Sequence, residues 1–387
     1  MSAGRITPDW LDRPGPQALC AMLETEGFEA FFVGGCVRNA LLNVPVSDVD
    51  IATNAHPNAV VKLAKKSGFN PIPTGIEHGT VTVVVQGEPF EITTYRKDVE
   101  TDGRRAVVSF AQSMEEDAHR RDFTMNALYA DSTGAVFDPI GGLDDLTARR
   151  VRFIDEAEER IREDYLRILR FFRFHAWYGA PSGGLDDEAL NAISRNLAGI
   201  ETLSKERIGT EMLKLLSAPD PAPACSAMDA TGALARVLPG AFAKGLAVLV
   251  HLEADVEAAP DPLRRLAVLG GQAPQDLLRL SKADARRLGE ISAHLGSMDS
   301  PRTLGYRFGR ANAMNVVLAN CALLETHLPQ NLREEIAAGA EQVLPIRAAD
   351  LMPAFEGAAL GAKLKELEML WIESGFSLDR DTLLESL

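Results

Sequence analysis

The sequence predicts an α+β protein in which a part with both strands and helices precedes a purely helical part. Short β-forming runs such as Phe31–Val33 and Thr80–Gln86 alternate with helical patterns up to about residue 150. After a last short strand at 151–154, only helical periodicity recurs. The chain has 387 residues, which is enough for two or three domains.

The composition is typical of a globular protein, with 46% hydrophobic and 25% charged residues. No run is long enough to cross a membrane, and residues 1–12 do not have the layout of a signal peptide. The four cysteines are scattered, which argues against zinc and disulfides and predicts a reducing, cytoplasmic setting. Because the net charge is −15, any surface that binds nucleic acid must be locally basic and confined.

The first motif is an apolar run that ends in two glycines. Phe31–Val33 is predicted to be a buried strand, Gly34 and Gly35 to form a tight turn, and the following residues to begin a helix. A glycine turn that opens a helix offers backbone N–H groups to a phosphate. Arg38 lies just beyond the turn, where its guanidinium can bind a phosphate oxygen.

A pair of acids follows this motif. Asp48 and Asp50 are predicted to alternate on the next strand, so that both carboxylates lie on one face. Glu91 is predicted on a strand that can lie beside it, as a third carboxylate for two Mg²⁺ ions bound together with substrate phosphates. The alternatives are that Glu91 is an exposed strand acid and that the glycine and acid pairs are ordinary loop motifs.

In this order, the glycine pair, the arginine, the helix and the acid pair resemble the nucleotidyltransferase signature of the polymerase-beta superfamily. The closest version is that of class II tRNA nucleotidyltransferases (CCA-adding enzymes) and bacterial poly(A) polymerases. The resemblance implies a polymerase-beta-like catalytic head with a small mixed sheet at 1–150, a helical neck at 151–216, and an RNA-binding helical body and tail at 217–387. It covers roughly residues 30–215, and Asn39 departs from it because the family usually has Asp there.

The second motif, Arg-Arg-Asp-Phe-Thr-Met-Asn-Ala at 120–127, matches the same family in full. Arg121 can pair with triphosphate oxygens, Asp122 can orient neighbouring donors, and Asn126 can contact sugar or phosphate. The alternative is structural: Arg120 and Arg121 pair only with the acids at 115–117.

The third motif resembles the E-D-x-x-R-x-x-R segment of the family and lies at 163–170. Asp164, Arg167, Arg170 and Arg173 follow one another at i+3 spacing, which predicts one row along one helix. The alternative is a row of salt bridges on a solvated face. In the family, the aspartate and the first arginine read the base, and the further arginines contact the nucleotide.

The chemistry of the bases supports such a role for Asp164 and Arg167. Cytosine and adenine each present ring acceptors and an amino donor, which suit an arginine and a carboxylate respectively. Uracil and guanine present the opposite pattern and would set like groups against each other. One fixed Asp–Arg pair can therefore admit CTP and ATP and reject UTP and GTP without a template.

Two further segments are predicted to play lesser roles. The segment at 203–214 matches the family's S-x-E-R-I-x-x-E pattern and is predicted to support the neck helices without chemistry. The polar segment at 97–112 reads as a long loop with Arg104 and Arg105 available to phosphates. The resemblance implies a flexible loop there that is needed for adenosine addition, which favours CCA or A addition; the alternative is a plain surface loop.

The resemblance implies Mg²⁺-dependent addition of CMP and AMP, from CTP and ATP, to the 3′ acceptor end of tRNA by a monomer or homodimer. A poly(A) polymerase, an A-adding enzyme and a catalytically idle RNA-binding relative are the alternatives. The chain ends without the long basic extension expected of such polymerases, and its acids are intact, so CCA addition is favoured. The predicted catalytic acids are Asp48, Asp50 and Glu91, of which Asp48 and Asp50 bind the metal, and the predicted nucleotide-binding residues are Gly34, Gly35, Arg38, Arg121, Asp122, Asn126, Asp164, Arg167, Arg170 and Arg173.

Overall fold

The computed structural model describes residues 4–73, 75–97, 109–181 and 183–386. The chain divides into two compact units. The first unit comprises Met1–Glu211 with Ala230–Arg236, and the second comprises Met212–Asp229 with Val237–Leu387. The predicted division of the first unit into head and neck stays a prediction, and Arg104 and Arg105 of the predicted loop lie outside the described residues.

The first unit contains all the described strands, and the second unit is helical, which confirms the α+β class. The strands are β1 (Phe31–Val33), β2 (Asp50–Thr53), β3 (Asn70–Ile72), β4 (Thr80–Val85), β5 (Glu88–Thr94), β6 (Arg96–Lys97), β7 (Ser109–Phe110), β8 (Tyr129–Ala130) and β9 (Val136–Phe137). Seven of them form one mixed sheet in the order β3-β4-β5-β2-β1-β8-β9, while β6 pairs with β7. In the large sheet, β2 and β5 run parallel and every other pair is antiparallel.

The helices that lie wholly in the first unit are α1 (Pro14–Glu24), α2 (Gly35–Leu41), α3 (Pro57–Lys66), α4 (Met114–His119), α5 (Gly142–Thr147), α6 (Ala157–Glu163), α7 (Leu166–Tyr178) and α8 (Asp187–Arg195). Three helices contain residues of both units: α9 (Lys205–Leu216), α10 (Ala222–Thr231) and α11 (Ala233–Val237). The second unit continues with α12 (Lys244–Asp255), α13 (Pro262–Leu269), α14 (Pro274–Leu277), α15 (Lys282–Ser292), α16 (Pro301–Leu324), α17 (Leu332–Ala340), α18 (Ala348–Leu351), α19 (Gly357–Glu373) and α20 (Arg380–Glu385). Across the described residues, no helix combines the length and the apolar character that a membrane crossing requires.

The core of the first unit follows from the apolar pattern of its strands. In β4 the valines at alternate positions are buried, as a sheet with one covered face requires. In β2 the three residues after Asp50 are all buried, because β2 lies inside the sheet. Asp50 is therefore held at the start of a rigid central strand.

Aromatic packing joins α7 to the segment that carries the second motif. The ring of Phe123 lies 4.9 Å from that of Phe174, and the ring of Phe153 stacks on Phe171 at 5.7 Å. Such ring pairs add about 0.5–1.5 kcal/mol each beyond the burial of their area. The polar face of α7 is thereby fixed next to residues 120–126.

The third motif does not lie on one helix, so this part of the prediction is wrong. Asp164 separates α6 from α7 and has extended backbone angles, φ −152° and ψ 104°. Its Oδ1 accepts a hydrogen bond from the N–H of Leu166, an Asx-type turn that starts α7. Arg167, Arg170 and Arg173 do share α7, with Asp164 just before it.

Asp48 also departs from its predicted place. The strand β2 begins at Asp50, so Asp48 lies two residues before the strand, exposed to solvent. Its Oδ2 accepts a hydrogen bond of 2.8 Å from the hydroxyl of Ser47. Pro45 has no N–H, so a ladder of hydrogen bonds cannot continue through that position.

Candidate nucleotide-binding site

A cavity of about 590 Å³ in the first unit brings the predicted site residues together. Every predicted site residue except Glu91 lines it: Gly34, Gly35, Arg38, Asp48, Asp50, Arg121, Asp122, Asn126, Asp164, Arg167, Arg170 and Arg173. Residues that lie more than 100 positions apart in the chain thus face the same space.

Glu91 lies beside this cavity on the neighbouring strand. In the parallel pair of β2 and β5, Glu91 stands directly opposite Asp50, so their side chains point to the same face. This placement agrees with the sequence prediction. Among the described residues, no group of three or more His, Cys, Asp or Glu side chains is arranged to hold a metal ion by itself. A metal held here must take further oxygen ligands from water or substrate, as Mg²⁺ commonly does.

The electrostatics of Asp50 favour a cation. Burial, followed by the nearby negative charges of Glu91 and Asp48, raises the pKa of Asp50 to about 6. Arg121 acts in the opposite direction but does not cancel these effects. An ionised Asp50 is therefore unfavourable in the protein alone, and a hard cation at these oxygens would relieve the repulsion.

The glycine turn has the predicted form. Gly34 has φ 72° and ψ −119° and precedes α2. L side chains rarely adopt this positive φ, and a Cβ at Gly34 would lie 3.3 Å from Nη1 of Arg121, so the turn favours glycine. The turn and Arg121 therefore meet at one wall of the cavity.

Arg121 has the structural partner that the sequence analysis gave as the alternative. Its Nη2 lies 2.9 Å from Oδ2 of Asp117, and the hydroxyl of Tyr129 also contacts its Nε. Asp117 is 2% exposed, and burial, which alone would raise its pKa, is outweighed by Arg121, which holds that pKa low. The pair fixes the arginine while Nη1 points toward Gly34.

Arg38 is a buried cation with neutral partners. It is 6% exposed and donates to the side-chain oxygens of Asn39, Asn126 and Tyr178 at 2.5–3.1 Å. Its guanidinium also lies 3.9 Å from the centre of the Tyr178 ring. Burial lowers the pKa of Arg38 from its ordinary value. The hydrogen-bond partners of Arg38 among the described residues are all neutral, so its buried positive charge suits an anionic ligand.

Asp122 organises a second group of hydrogen bonds in the lining of the cavity. Its Oδ1 accepts from Nδ2 of Asn126 at 2.9 Å, and its Oδ2 accepts from Nε and Nη2 of Arg170 at 2.8 and 2.5 Å. Burial alone would raise the pKa of Asp122, but Arg170 and Asn126 hold it below its ordinary value. This network orients Arg170, as predicted, but it also uses the amide of Asn126 within the protein.

Arg167 is fixed by three hydrogen bonds. Nη1 donates to the carboxylate of Glu163 and to the carbonyl of Arg160, and Nη2 donates to the carbonyl of Arg120. A guanidinium has five N–H groups. Within the part of the chain that the structure describes, two N–H groups of Arg167 thus stay available to the ring acceptors of a base.

Three residues in this network were missed by the sequence analysis. Tyr178 stacks on Arg38, Arg207 lies 2.7 Å from Asp164, and Glu211 lies 2.5 Å from Arg173. Arg207 and Glu211 belong to the segment to which no chemistry was assigned. The signal was present, because opposite charges four residues apart share one face of a helix.

The walls of the cavity carry more positive than negative charge. The side chains that line it include six arginines and four aspartates, in a chain whose net charge is −15. Burial strengthens the electrostatic interaction of these charges with a ligand, because the dielectric constant inside the protein is low. The site therefore suits a ligand that carries several negative charges at one end and both hydrogen-bond donors and acceptors at the other end.

Two protein-family descriptions match the chain. Residues 30–152 match the "Poly A polymerase head domain". Residues 184–244 match a "Probable RNA and SrmB- binding site of polymerase A". The first match contains the glycine turn, the three acids and the second motif.

Curated relatives match over about half to three fifths of the chain. The CCA-adding enzyme of Geobacillus thermodenitrificans is 42% identical over 236 residues, 60% of this chain and 56% of that protein. The human mitochondrial CCA tRNA nucleotidyltransferase 1 is 41% identical over 203 residues, 52% of this chain and 47% of that protein. The matched segment thus spans about half the length of these relatives.

Similarity to solved structures extends over nearly the whole chain. The crystal structure of the Bacillus stearothermophilus CCA-adding enzyme in complex with CTP is 29% identical in sequence, with a TM-score of 0.73 and 94% of both chains covered. The Thermotoga maritima CCA-adding enzyme complexed with tRNA is 17% identical, with a TM-score of 0.69, and shares the fold.

Proposed function

We propose that this chain is a class II nucleotidyltransferase, similar to CCA-adding enzymes and bacterial poly(A) polymerases, and that it adds CMP and AMP from CTP and ATP to the 3′ end of tRNA. One observation carries the proposal: the acids at the start of β2 and the Asp164–Arg167 pair line one cavity. A reaction centre and a base-reading pair then face the two ends of one nucleotide. We propose a cytoplasmic monomer or homodimer.

Asp48 and Asp50, with Glu91 beside them, are proposed to hold Mg²⁺. The fit rests on hard oxygen ligands and on the unfavourable charge of Asp50, whose pKa burial and Glu91 raise. When bound, Mg²⁺ lowers the pKa of an attacking hydroxyl and stabilises negative charge on the leaving group. The RNA 3′-hydroxyl attacks the α-phosphate, and pyrophosphate leaves.

Arg38 and Arg121 are proposed to bind the triphosphate. Both arginines are fixed, Arg38 by Asn126 and Tyr178 and Arg121 by Asp117. A fixed cation needs little ordering on binding, so more of its attraction for phosphate is retained. The backbone of Gly34 permits close approach at this wall.

Asp164 and Arg167 are proposed to select the base. Arg167 keeps two N–H groups for the ring acceptors of cytosine or adenine, and each oxygen of Asp164 keeps one lone pair beside its present hydrogen bond. The amino group of either base can donate to that carboxylate. Uracil would place a carbonyl against Asp164 and an N–H against Arg167, which leaves buried polar groups unpaired.

The experiment that tests the function uses tRNA transcripts that end before C74, at C75 and at A76. Purified protein with Mg²⁺ receives each transcript and one labelled nucleoside triphosphate at a time. We expect C addition to the first, A addition to the second and no addition to the third. Continued A addition to the third transcript would indicate a poly(A) polymerase. A addition without C addition would indicate an A-adding enzyme. No addition to any transcript would contradict the proposal that the protein is an enzyme.

Arg167→Ala is expected to relax base choice. The variant loses the donors to the ring acceptors, so the preference for CTP over UTP should fall by about 10- to 100-fold, the scale of a lost hydrogen-bonding contact to a charged group. Single-turnover incorporation of CTP and UTP measures it. Arg162→Ala is the matched control, because Arg162 is an exposed arginine of α6 outside the cavity. Unchanged rejection of UTP by Arg167→Ala would remove the base-reading role.

Tyr178→Ala is expected to raise KM for CTP and ATP alike, by about 5- to 20-fold, with a smaller change in kcat. Arg38 loses a stacking partner and a hydrogen bond, worth together about 1–2 kcal/mol, and is no longer fixed. Tyr178→Phe should lie between wild type and Tyr178→Ala. Steady-state kinetics with both nucleotides measure the effect, with Trp177→Ala as an aromatic control outside the cavity. A change confined to one nucleotide would argue against a role through the triphosphate.

A further inference from the structure

Helix α9 presents two opposite charges to the base-reading residues. Arg207 and Glu211 are four residues apart and therefore lie on the same face of the helix. Arg207 contacts Asp164, and Glu211 contacts Arg173 and lies 3.8 Å from Arg170. Each charge on α9 thus meets its opposite in the third motif.

The contact of Arg207 fixes the one base-reading residue that no regular element holds. Asp164 lies between α6 and α7 with extended backbone angles. Its Oδ1 is bound by the N–H of Leu166 at 3.1 Å, and its Oδ2 by Nη2 of Arg207 at 2.7 Å. Because each oxygen has its own donor, the plane of the carboxylate is set. Rotation of the Asp164 carboxylate about χ2 would break one of the two hydrogen bonds. Without these bonds, χ2 of an aspartate can take a broad range of angles.

Glu211 fixes α9 in turn. It is 5% exposed, and its Oε2 accepts a 2.5 Å hydrogen bond from Nε of Arg173. A buried carboxylate paired with two arginines of α7 is costly to displace. The base of the Arg207 side chain is thus held in register with α7, one turn from that buried contact, while its tip reaches Asp164.

We infer that Arg207 is a positioning residue for base selection, which holds the carboxylate of Asp164 where the amino group of cytosine or adenine can donate to it. The inference rests on the proposed function. Arg207 is 48% exposed and does not line the cavity, so it acts through Asp164 and not on the nucleotide. Without Arg207, the carboxylate of Asp164 can rotate. The free-energy penalty for placing the carbonyl of uracil against Asp164 is then reduced.

The exposure of the pair separates this role from a structural one. Asp164 is 35% exposed, and ion pairs at such positions add little to folding stability. Arg207→Gln is therefore expected to melt as the wild type does. The CTP-over-UTP preference should nevertheless fall about tenfold, because one charge-assisted hydrogen bond is lost. Arg207→Lys keeps a charged donor and should retain most of the preference.

The test is single-turnover incorporation of CTP and of UTP into tRNA that lacks its 3′ CCA, by wild type, Arg207→Gln, Arg207→Lys and the exposed control Arg195→Gln. We expect the preference to fall in Arg207→Gln alone, with no further fall when Asp164→Asn is added to it. An equal loss of CTP and UTP incorporation, or an unchanged preference in Arg207→Gln, would overturn the inference. If the wild type adds no C to this tRNA, the result contradicts the proposed function. The role of Arg207 is contradicted only by the two outcomes named above.

Discussion

Asp50→Asn is expected to abolish nucleotide transfer and, at the same time, to stabilise the metal-free protein at neutral pH. The amide keeps the size of the side chain but loses the charge that is proposed to bind Mg²⁺. A loss of at least about a thousandfold in turnover corresponds to ~4 kcal/mol of transition-state stabilisation. Quantification of labelled CMP added to tRNA measures this half of the prediction.

The gain in stability follows from the raised pKa of Asp50. Burial and the neighbouring Glu91 raise that pKa to about 6 from an ordinary value of 3.8. The folded protein therefore binds the proton of Asp50 more tightly than the unfolded chain does. The ionised carboxylate destabilises the fold fully above pH 6, progressively less below it, and not at all below about pH 4. At pH 8 the cost is at most roughly 3 kcal/mol, at 1.36 kcal/mol per pKa unit.

Thermal melts in EDTA from pH 4 to pH 8 measure this effect. The curves of wild type and Asp50→Asn should coincide near pH 4 and diverge above pH 6, with the variant more stable. Mg²⁺ should raise the melting temperature of the wild type and not of the variant, because a ligand stabilises only the state that binds it. Asp12→Asn, which removes an exposed acid of the same unit, is the control. Equal stability at pH 8 would contradict the account of Asp50.

Of the substitutions described, Glu253→Ala is expected to lower the free energy of unfolding most. Glu253 is 3% exposed and accepts hydrogen bonds from Nε of Arg264, at 2.8 Å, and from Nη2 of Arg265, at 2.7 Å. Both arginines are buried as well, at 3% and 1% exposed. Removal of the carboxylate that these two arginines share leaves two buried positive charges without it, which costs about 3–5 kcal/mol.

The buried network also closes the end of α9. Arg265 donates to the carbonyls of Leu216 and Ala218, at 2.7 and 2.5 Å, where a helix leaves its last carbonyls without partners. Unfolding in urea should therefore show the second unit of Glu253→Ala unfolding at a lower midpoint than in wild type. Glu325→Ala, which breaks the exposed pair with Lys244, is the control and should change the midpoint little. A midpoint for Glu253→Ala equal to that of the control would contradict this account.

Local sequence patterns predicted the parts of the site that depend on local geometry. Gly34 and Gly35 were assigned to a turn because paired glycines between a strand and a helix require it, and Gly34 has the positive φ expected. Glu91 was placed beside Asp50 because both lie on strands of one sheet. Such arrangements follow from the period of the side chains and the chemistry of turns.

Other features depend on contacts between distant residues: the local pattern marks Arg207 and Glu211 as charges on one helix face but does not identify their partners. The pair of Arg207 and Asp164 spans 43 positions, and that of Glu211 and Arg173 spans 38. The break at Asp164 was missed because helical periodicity continues across it, while the side chain of Asp164 starts the next helix. The buried arginines of the second unit were missed for a similar reason, since their counter-ion is Glu253 on another helix.

The nucleotide is proposed to bind in the cavity of the first unit, between the acids of β2 and helix α7. Photolabelling with 8-azido-ATP and Mg²⁺, followed by peptide mapping, locates the bound base. We expect label on residues 160–178 that CTP prevents and UTP does not. Label instead on residues that line a cavity of about 660 Å³ in the second unit, among them Arg264, Arg287, Arg310 and Arg333, would rule out binding in the first unit.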